Sequence, residues 1–381
     1  MYTGEFDYLT LSIYLFMGCL SMLLIKRIIK SSQVAVIKKT DNLWFFCGIF
    51  LLLYTIFATI RKVDYLIGGM DAIRYRDSFL SADQSIFTFS YDSEFLFTLF
   101  ERVIRELTSN YRVFFAICYL IISLSYIVFI STYCKSDTVS CIPFVLTIFP
   151  FLKSFCTLRS SLAVAVFLLG LSVFKRKKTW GIIIISLTFF IHRLSILYIA
   201  FIFLYLIFDK YLRKLSGFKF GAVVCVLIVG AYTAAIFLRD YVIATGFLEG
   251  TDLWYIKQSV GVSIFQRWPM YITHVFLAIA MLVSNKKMST SQEMTFVKLL
   301  CTFDIVAMPV SVILGFWRAN EYLYIARLLM WGHLIQVNTR YLEYKNKFLL
   351  KLCVLALFVV WLVFRIYSEW DDLKIMPYII G

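Results

Sequence analysis

The chain has 381 residues, of which 61% are apolar, and it carries a formal charge of +15 at pH 7. A water-soluble globular protein needs a larger share of polar residues to cover its surface, so this composition excludes that class. We therefore predict an all-α polytopic membrane protein that forms a single integral membrane domain, residues 1–381. The cations are scattered between apolar segments, which argues against nucleic acid as a partner.

Apolar segments recur along the chain and are separated by polar connections. A helix needs roughly 20 apolar residues to cross a bilayer, and lysine-rich connections face the cytoplasm. These rules predict about 12 transmembrane segments, with both ends of the chain outside. The predicted segments are 8–25, 43–60, 112–131, 139–152, 160–174, 180–191, 194–208, 218–238, 268–284, 294–315, 322–337 and 348–365.

Two long outer loops follow from this arrangement, at 61–111 and 239–267. Within the first, the segment from about 92 to 108 places five apolar residues on one helical face and three charged residues on the other. The apolar residues are Leu96, Leu99, Phe100, Val103 and Leu107, and the charged residues are Glu101, Arg102 and Arg105. This pattern predicts a helix that lies on the outer membrane–water interface.

The run FFIHRLS interrupts an apolar stretch and predicts the tip of a short hairpin. The flanking segments 180–191 and 194–208 measure roughly 18 and 22 Å as helices, less than a bilayer core of about 30 Å. Both far ends carry cytoplasmic-type clusters, KRKK and DKYLRK, so one continuous span would place a cluster on the wrong side. His192 and Arg193 would then lie at the outer tip.

The preceding pair of segments, 139–152 and 160–174, also predicts a short hairpin with a polar outer tip. Lys153 and Arg159 flank its outer turn. Ionisable groups at membrane depth are costly and usually face partners or cavities. We expect the two short hairpins with polar outer tips to form a recessed basic pocket that opens outward.

Arginine and lysine are distributed differently between the two predicted sides. The outer side has thirteen arginines and four lysines, and the inner side has four arginines and sixteen lysines. The positive-inside rule explains the lysines but not the outer arginines. Because a guanidinium donates two bonds at once to phosphate or carboxylate, the outer arginines predict an anionic substrate. The alternative is ordinary salt bridges with outer acidic residues, namely Asp71, Asp77, Glu94, Glu101 and Glu106.

Ionisable residues also occur within the predicted segments of the second half. His274 and Asp304 lie inside apolar runs, and Arg327 follows soon after the loop that contains Arg318. For Asp304 the structural alternative is that it pairs with a buried cation. His333 lies nearer the cytoplasmic end, and we interpret it as structural. The nine cysteines lie mostly in apolar runs and are interpreted as small core residues, so no metal site is predicted.

Several stretches form a pattern in a fixed order. GGMDAIRYRDSF and YDSEFLF come first, followed by TLRSSLAVAVFLLGLSVFKRKK and then LTFFIHRLSILYI. Together they resemble the EpsG/Wzy-like family of bacterial polysaccharide polymerases. In that family an Arg before a small-residue helix start, a basic cytoplasmic turn and a Phe-His pair before a Ser occur in this order. The resemblance runs from about Gly68 to Tyr198, and the second half agrees mainly in hydropathy and a late arginine.

The resemblance implies a reaction on the outer face of the bacterial cytoplasmic (inner) membrane. Oligosaccharide repeat units linked to undecaprenyl diphosphate would be polymerised into O-antigen, capsule or exopolysaccharide. The growing chain moves from its lipid diphosphate onto the terminal sugar hydroxyl of an incoming unit. Related enzymes are multi-span, metal-independent glycosyltransferases of the GT-C type, so no cofactor is expected. The implied partners are the lipid-linked oligosaccharide, membrane lipid and a chain-length regulator protein.

This reaction assigns roles to the candidate residues. Arginines against the leaving diphosphate would stabilise its developing charge without a metal, and the candidates are Arg159, Arg318, Arg327 and Arg193. The acceptor hydroxyl needs a base, and the catalytic candidates are His192, Asp71 and Glu94. Polar residues of the outer loops are expected to bind the substrate, and these are Arg74, Tyr75, Arg239 and Arg267.

A flippase or secondary transporter for a lipid-linked or anionic substrate is the main alternative, because twelve spans and intramembrane charges suit it equally. Transporters are often built from two related halves with broken helices at matching positions. Residues 1–190 and 191–381 show no such match, which favours the enzyme.

Overall fold

The computed structural model describes residues 6–35, 42–65, 67–82, 94–134, 141–212, 217–245, 256–257, 268–284, 292–315, 321–339, 342 and 344–381. Over these residues the chain is all-helical, with 86% helix and no strand. Long apolar runs fold in this way because a helix satisfies every internal backbone hydrogen bond within one segment, as a bilayer requires.

The α-helices in the described part of the chain are α1 (Tyr8–Ala35), α2 (Asn42–Thr59), α3 (Ala72–Ser81), α4 (Phe95–Leu107), α5 (Tyr111–Tyr133), α6 (Ile148–Lys153), α7 (Leu158–Phe174), α8 (Lys178–Leu187), α9 (Ile196–Leu212), α10 (Gly217–Thr245), α11 (Trp268–Ser284), α12 (Gln292–Ile313), α13 (Tyr324–Thr339) and α14 (Tyr344–Leu373). Three 3₁₀ helices complete the set, at Ile142–Thr147, Thr188–Phe190 and Arg193–Ser195.

Six helices in the described residues are long and apolar enough to cross a membrane, and further apolar helices are shorter. The six are Tyr8–Ser31, Asn42–Thr59, Tyr111–Tyr133, Lys219–Thr245, Met294–Ile313 and Phe348–Leu373. The chain is thus a multi-pass membrane protein, and a helix overlaps each of the twelve predicted segments. Several helices extend beyond the predicted ends, as α14 does to Leu373, because the polar residues that follow include no Gly or Pro to stop them.

The residues divide by their mutual contacts into two compact units, and the single membrane domain stays a prediction. Unit 1 comprises Met1–Ser195 together with Leu342–Gly381, and unit 2 comprises Ile196–Tyr341. Unit 1 is therefore built from both ends of the chain, and the middle of the chain forms unit 2.

In unit 1, α5 packs against α2 and α7, and α7 packs against α8. The last pair approaches closely at Gly181, where a Cβ would overlap the backbone of Phe174. The segment from Ile142 to Lys153 is buried throughout and consists of a 3₁₀ helix followed by the short helix α6. Pro143 near its start removes a backbone donor, which favours the tighter turns. At 12 residues it is only about 18–24 Å long.

The segment after α14 folds back onto the segment after α2. Lys62 N–H donates to the Ile379 carbonyl at 2.6 Å, and Gly69 N–H donates to Lys374 at 3.0 Å. The Tyr378 ring stacks on Phe57 with centroids 4.4 Å apart. Several helix ends and connecting loops thus meet at one end of unit 1. We call this the polar end, defined as residues 60–65, 67–71, 94, 153–159, 188–195 and 373–381.

Arg61 stabilises the polar end from inside. Its Nε donates to the Gly68 carbonyl at 2.8 Å, and its Nη2 donates to the Tyr119 hydroxyl at 2.7 Å. The guanidinium also lies over the Phe155 ring, 4.0 Å from its centroid. Arg61 is only 2% exposed. This predicted outer arginine therefore supports the loop that leads to Asp71, and its donors are directed at protein groups.

Gly69 provides a test of how tightly this loop is constrained. It has φ of 118°, and a Cβ there would overlap the Phe155 carbonyl. We expect Gly69→Ala to lower the stability of the purified protein by on the order of 1–3 kcal/mol, measured as a lower thermal unfolding temperature in detergent.

The matched control is Gly48→Ala in α2, where a Cβ would meet nothing within 4 Å. This change should be neutral or slightly stabilising, because alanine is the better helix former. Equal unfolding temperatures for the two variants would contradict the constraint at Gly69.

Candidate active site

His192 is held between two 3₁₀ turns at the polar end of unit 1. Its backbone N–H donates to the Thr188 carbonyl at 2.9 Å, and its own carbonyl accepts from Ser195 N–H at 3.1 Å. His192 as a whole residue is 7% exposed. The backbone hydrogen bonds on both sides therefore hold His192 in a tight turn. A continuous helix does not run through this position.

His192, Glu94 and Arg159 are in direct contact, although they come from three separate parts of the chain. Nδ1 of His192 lies 3.0 Å from Oε1 of Glu94, and Nη1 of Arg159 lies 2.6 Å from Oε2 of the same carboxylate. Arg193 N–H also donates to Glu94 Oε1 at 3.3 Å. We call His192, Glu94 and Arg159 the Glu94 cluster.

The cluster favours one tautomer of a neutral imidazole at His192. Burial would raise the pKa of Glu94, but the His192 hydrogen bond and the Arg159 and His192 charges outweigh it and lower that pKa. An ionised carboxylate only accepts hydrogen bonds, so Nδ1 of His192 must carry the proton. Nε2 then presents a lone pair. It is buried, and no described residue forms a hydrogen bond with it.

Arg159 is the more accessible side of the cluster. Its side chain is 37% exposed, whereas those of His192 and Glu94 are 9% and 13% exposed. Arg159 also lies in the first turn of α7, and a helix N-terminus attracts anions through its backbone N–H groups. A guanidinium has five N–H donors, so the contact with Glu94 leaves capacity for an anionic ligand.

The outer-loop candidates Asp71, Arg74 and Tyr75 lie at the start of α3, in the same unit. Asp71 precedes the helix and pairs with Arg74 at 3.5 Å, and the Arg74 side chain is 81% exposed. Tyr75 meets the Phe97 ring edge-on, with centroids 6.0 Å apart. The Asp71–Arg74 pair is the kind of surface salt bridge that the sequence left open as an alternative.

Arg327 and Arg239 lie in unit 2. Arg327 Nη1 is 3.2 Å from Asp304 Oδ2, and His274 Nε2 is 3.1 Å from the same oxygen. Arg239 pairs with the adjacent Asp240 at 2.8 Å. Asp304 thus has the buried-cation partner that its structural interpretation requires. The remaining candidates, Arg267 and Arg318, lie outside the described residues.

The model of the EpsG family matches residues 43–380 of this sequence. The chain belongs to the EpsG family. The match confirms the resemblance drawn from the motifs between Gly68 and Tyr198, and it extends through the second half of the chain. No curated protein and no solved structure matches it. Membership of the EpsG family associates the chain with polysaccharide biosynthesis of the polymerase type.

Glu101 lies on α4, seven residues after Glu94, and the sequence predicted it on the polar face of an amphipathic helix. In the structure it lies on the buried face of α4 with Phe97 and Ile104, whereas Val103 and Leu107 are exposed. Burial raises the pKa of Glu101 to about 7. The sequence contained one signal that could have linked Glu101 to Glu94. The two residues are seven positions apart, a spacing that places both on one face of a helix.

Within the described ranges, no group of three or more His, Cys, Asp or Glu side chains could hold a metal ion.

Proposed function

We propose that this EpsG-family chain is a glycosyltransferase that polymerises undecaprenyl-diphosphate-linked oligosaccharide repeat units. The reaction would take place on the outer face of the cytoplasmic membrane, in a GT-C-like protein with about 12 transmembrane segments. The observation that supports the proposal is the Glu94 cluster, in which an oriented histidine base and an exposed arginine share one carboxylate.

The acceptor side of the reaction uses His192. The terminal sugar hydroxyl of the incoming unit donates its proton to Nε2, and its oxygen attacks the anomeric carbon of the growing chain. The bond between that carbon and the lipid diphosphate breaks, and undecaprenyl diphosphate leaves. Glu94 stabilises the imidazolium that forms, because its Oε1 lies 3.0 Å from Nδ1. The imidazolium then returns its proton to solvent.

The donor side uses Arg159. Negative charge builds on the bridging diphosphate oxygen as the anomeric bond breaks, and the guanidinium stabilises this charge in the transition state. The N-terminus of α7 adds the positive end of its helix dipole. Arg193 remains a second predicted cation for the diphosphate, next to His192 in the chain.

The other predicted residues retain supporting roles in this proposal. Asp71 remains a candidate base, and Arg318 and Arg327 remain candidate diphosphate ligands. Arg74, Tyr75, Arg239 and Arg267 are predicted to bind the glycan. Membrane lipid and a chain-length regulator protein are proposed partners, and the product would be O-antigen, capsule or exopolysaccharide.

Glu94→Gln tests the proposal in the native cell. A neutral amide lacks the negative charge that stabilises the imidazolium, so we expect repeat-unit joining to fall about 100-fold or more. Lipid extraction and glycan analysis should show single repeat units on undecaprenyl diphosphate in place of long chains. The matched control is Glu106→Gln on the exposed side of the same helix, which should leave the chain-length distribution unchanged.

A flippase or secondary transporter is the alternative that this experiment separates. The buried group of His274, Asp304 and Arg327 in unit 2 favours it, since intramembrane charges often mark a transport route. If single units accumulate where an external glycosidase or periodate reaches them, the polymerase is supported. If Glu94→Gln instead traps them on the cytoplasmic leaflet, the polymerase proposal is wrong.

A further inference from the structure

The inward face of α4 carries two carboxylates. Glu94 lies at the start of the helix and Glu101 follows seven residues later, about two turns or roughly 10 Å along the axis. Glu94 contacts Arg159 directly at 2.6 Å. Glu101 lies close enough for the Arg159 charge to act on it as well. One guanidinium is therefore influenced by both acids.

The two acids have different surroundings. Glu94 is fully engaged by His192, Arg159 and the Arg193 backbone. Glu101 is 4% exposed, and its Oε2 accepts from the Ser78 hydroxyl at 3.3 Å. Its Oε1 is buried and has no hydrogen-bond partner in the described chain. An unsatisfied buried carboxylate oxygen is costly when ionised, and protonation removes most of that cost.

The charged and titratable neighbours of Glu101 come from several packed elements. The charges of Arg159 on α7 and Arg102 on α4 act on Glu101, and Glu101 in turn acts on the Cys118 thiol of α5. The group from α3 is the uncharged Ser78 hydroxyl. The turn Thr188–Phe190, which also packs on α4, has no titratable side chain.

The protonation state of Glu101 changes the charge that an incoming anion meets. Arg159 and ionised Glu94 carry opposite unit charges. A protonated Glu101 adds no charge to this pair. An ionised Glu101 adds one negative charge, which repels a diphosphate and competes for Arg159.

We propose that Glu101 is a proton-linked positioning residue, which takes up a proton when a lipid diphosphate docks on Arg159 and releases it when the diphosphate leaves. The proton comes from solvent and binds to Oε1, since Oε2 already accepts from Ser78. This inference rests on the proposed function, because it assumes that Arg159 receives the diphosphate.

The direction of the pH dependence follows from linkage. Burial raises the pKa of Glu101 to about 7, so the acid is mostly neutral below that pH and mostly ionised above it. A diphosphate prefers the neutral form, and its affinity is therefore highest below pH 7. The affinity falls as the pH rises through about 7, by at most about tenfold per pH unit for a single linked proton.

The experiment measures binding of undecaprenyl diphosphate to the full chain in lipid nanodiscs between pH 6 and 8.5. For the wild type we expect affinity to fall on the order of tenfold across this range. Glu101→Gln, neutral at every pH, should bind about tenfold more tightly than the wild type at pH 8 and about equally at pH 6. The probe itself ionises in this pH range, and it does so equally for every variant. The quantity compared is therefore the difference between the affinity–pH profiles of variant and wild type. Glu106→Gln on the exposed side of α4 is the matched control and should keep the wild-type profile.

A second variant tests the proton linkage while Glu101 and Arg159 are both kept. The Ser78 hydrogen bond favours the ionised form of Glu101. Ser78→Ala should therefore move the midpoint of the binding profile to higher pH. A wild-type pH dependence that persists in Glu101→Gln, or a Ser78→Ala profile that does not move, overturns the proposal.

Arg159→Ala separates this inference from the proposed function. Loss of probe binding at every pH supports Arg159 as the diphosphate site, and the Glu101 result is then judged by itself. Binding equal to the wild type in Arg159→Ala refutes the diphosphate site, and with it both the proposed donor-side mechanism and the role of Glu101.

Discussion

Replacement of His192 by alanine should lower the rate of repeat-unit joining by a factor of about 10² to 10⁴, the range typical of a lost general base. The expectation follows from Nε2, which is buried, lacks a hydrogen-bond partner in the described part of the chain, and is oriented by the contact of Nδ1 with Glu94. The measurement is single-turnover transfer between lipid-linked units in nanodiscs. Binding of the donor should change little, because the base acts on the acceptor hydroxyl.

His192→Asn separates catalysis from support of the turn. An asparagine side chain can still donate to Glu94, but it has no basic nitrogen for the acceptor proton. We expect His192→Asn to be as slow as the alanine variant. His333→Ala controls for the loss of a buried imidazole elsewhere and should stay near the wild-type rate. A wild-type rate in His192→Asn would show that the histidine only supports the local structure.

Replacement of Arg159 by alanine should lower the same rate by about 10² to 10³, the effect of losing one donor to a developing oxyanion. Arg159→Lys keeps the charge but loses the planar fork, so it should recover part of the rate. The alanine variant also removes a cation that lowers the pKa of Glu94, so that pKa should rise. The measurement is the release of undecaprenyl diphosphate from a single turnover.

Arg76→Ala is the matched control for Arg159. Arg76 is another arginine of unit 1, where it pairs with Asp77 at 2.9 Å and donates to the Val63 carbonyl. Its replacement should leave the release of undecaprenyl diphosphate near the wild-type level. If both alanine variants slow release equally, the arginines act through the general charge of this region, and the specific role of Arg159 is refuted.

The helices were predictable because apolar length and lysine-rich connections are local properties of the sequence. The all-helical prediction is confirmed for the described residues. Helix ends were less predictable, since charged residues after an apolar run can continue a helix, as in α14. The division into two units was not predictable, because it depends on contacts between segments as distant as residues 60–71 and 373–381.

The members of the Glu94 cluster were each singled out from the sequence, but their contact was not. Glu94 and His192 are 98 residues apart, and no local pattern specifies such a pair. The excess of outer arginines was a weaker guide to an anion-binding site. The Arg61 guanidinium donates to the Gly68 carbonyl, and that of Arg327 pairs with Asp304. Glu101 was missed because helical periodicity shows which residues share a face but not which face other helices cover.

Unit 1 draws its last helix and the segment after it from the end of the chain. A ribosome delivers the N-terminal part first, so α1 to α8 are made first and wait while all of unit 2 is synthesised. During that interval the loop carrying Gly68 and Gly69 has none of its hydrogen bonds to residues 373–381. Completion of unit 1 therefore waits for residues 342–381, and a chain that stops before them has the Glu94 cluster residues without the segment that pairs with the Gly68–Gly69 loop.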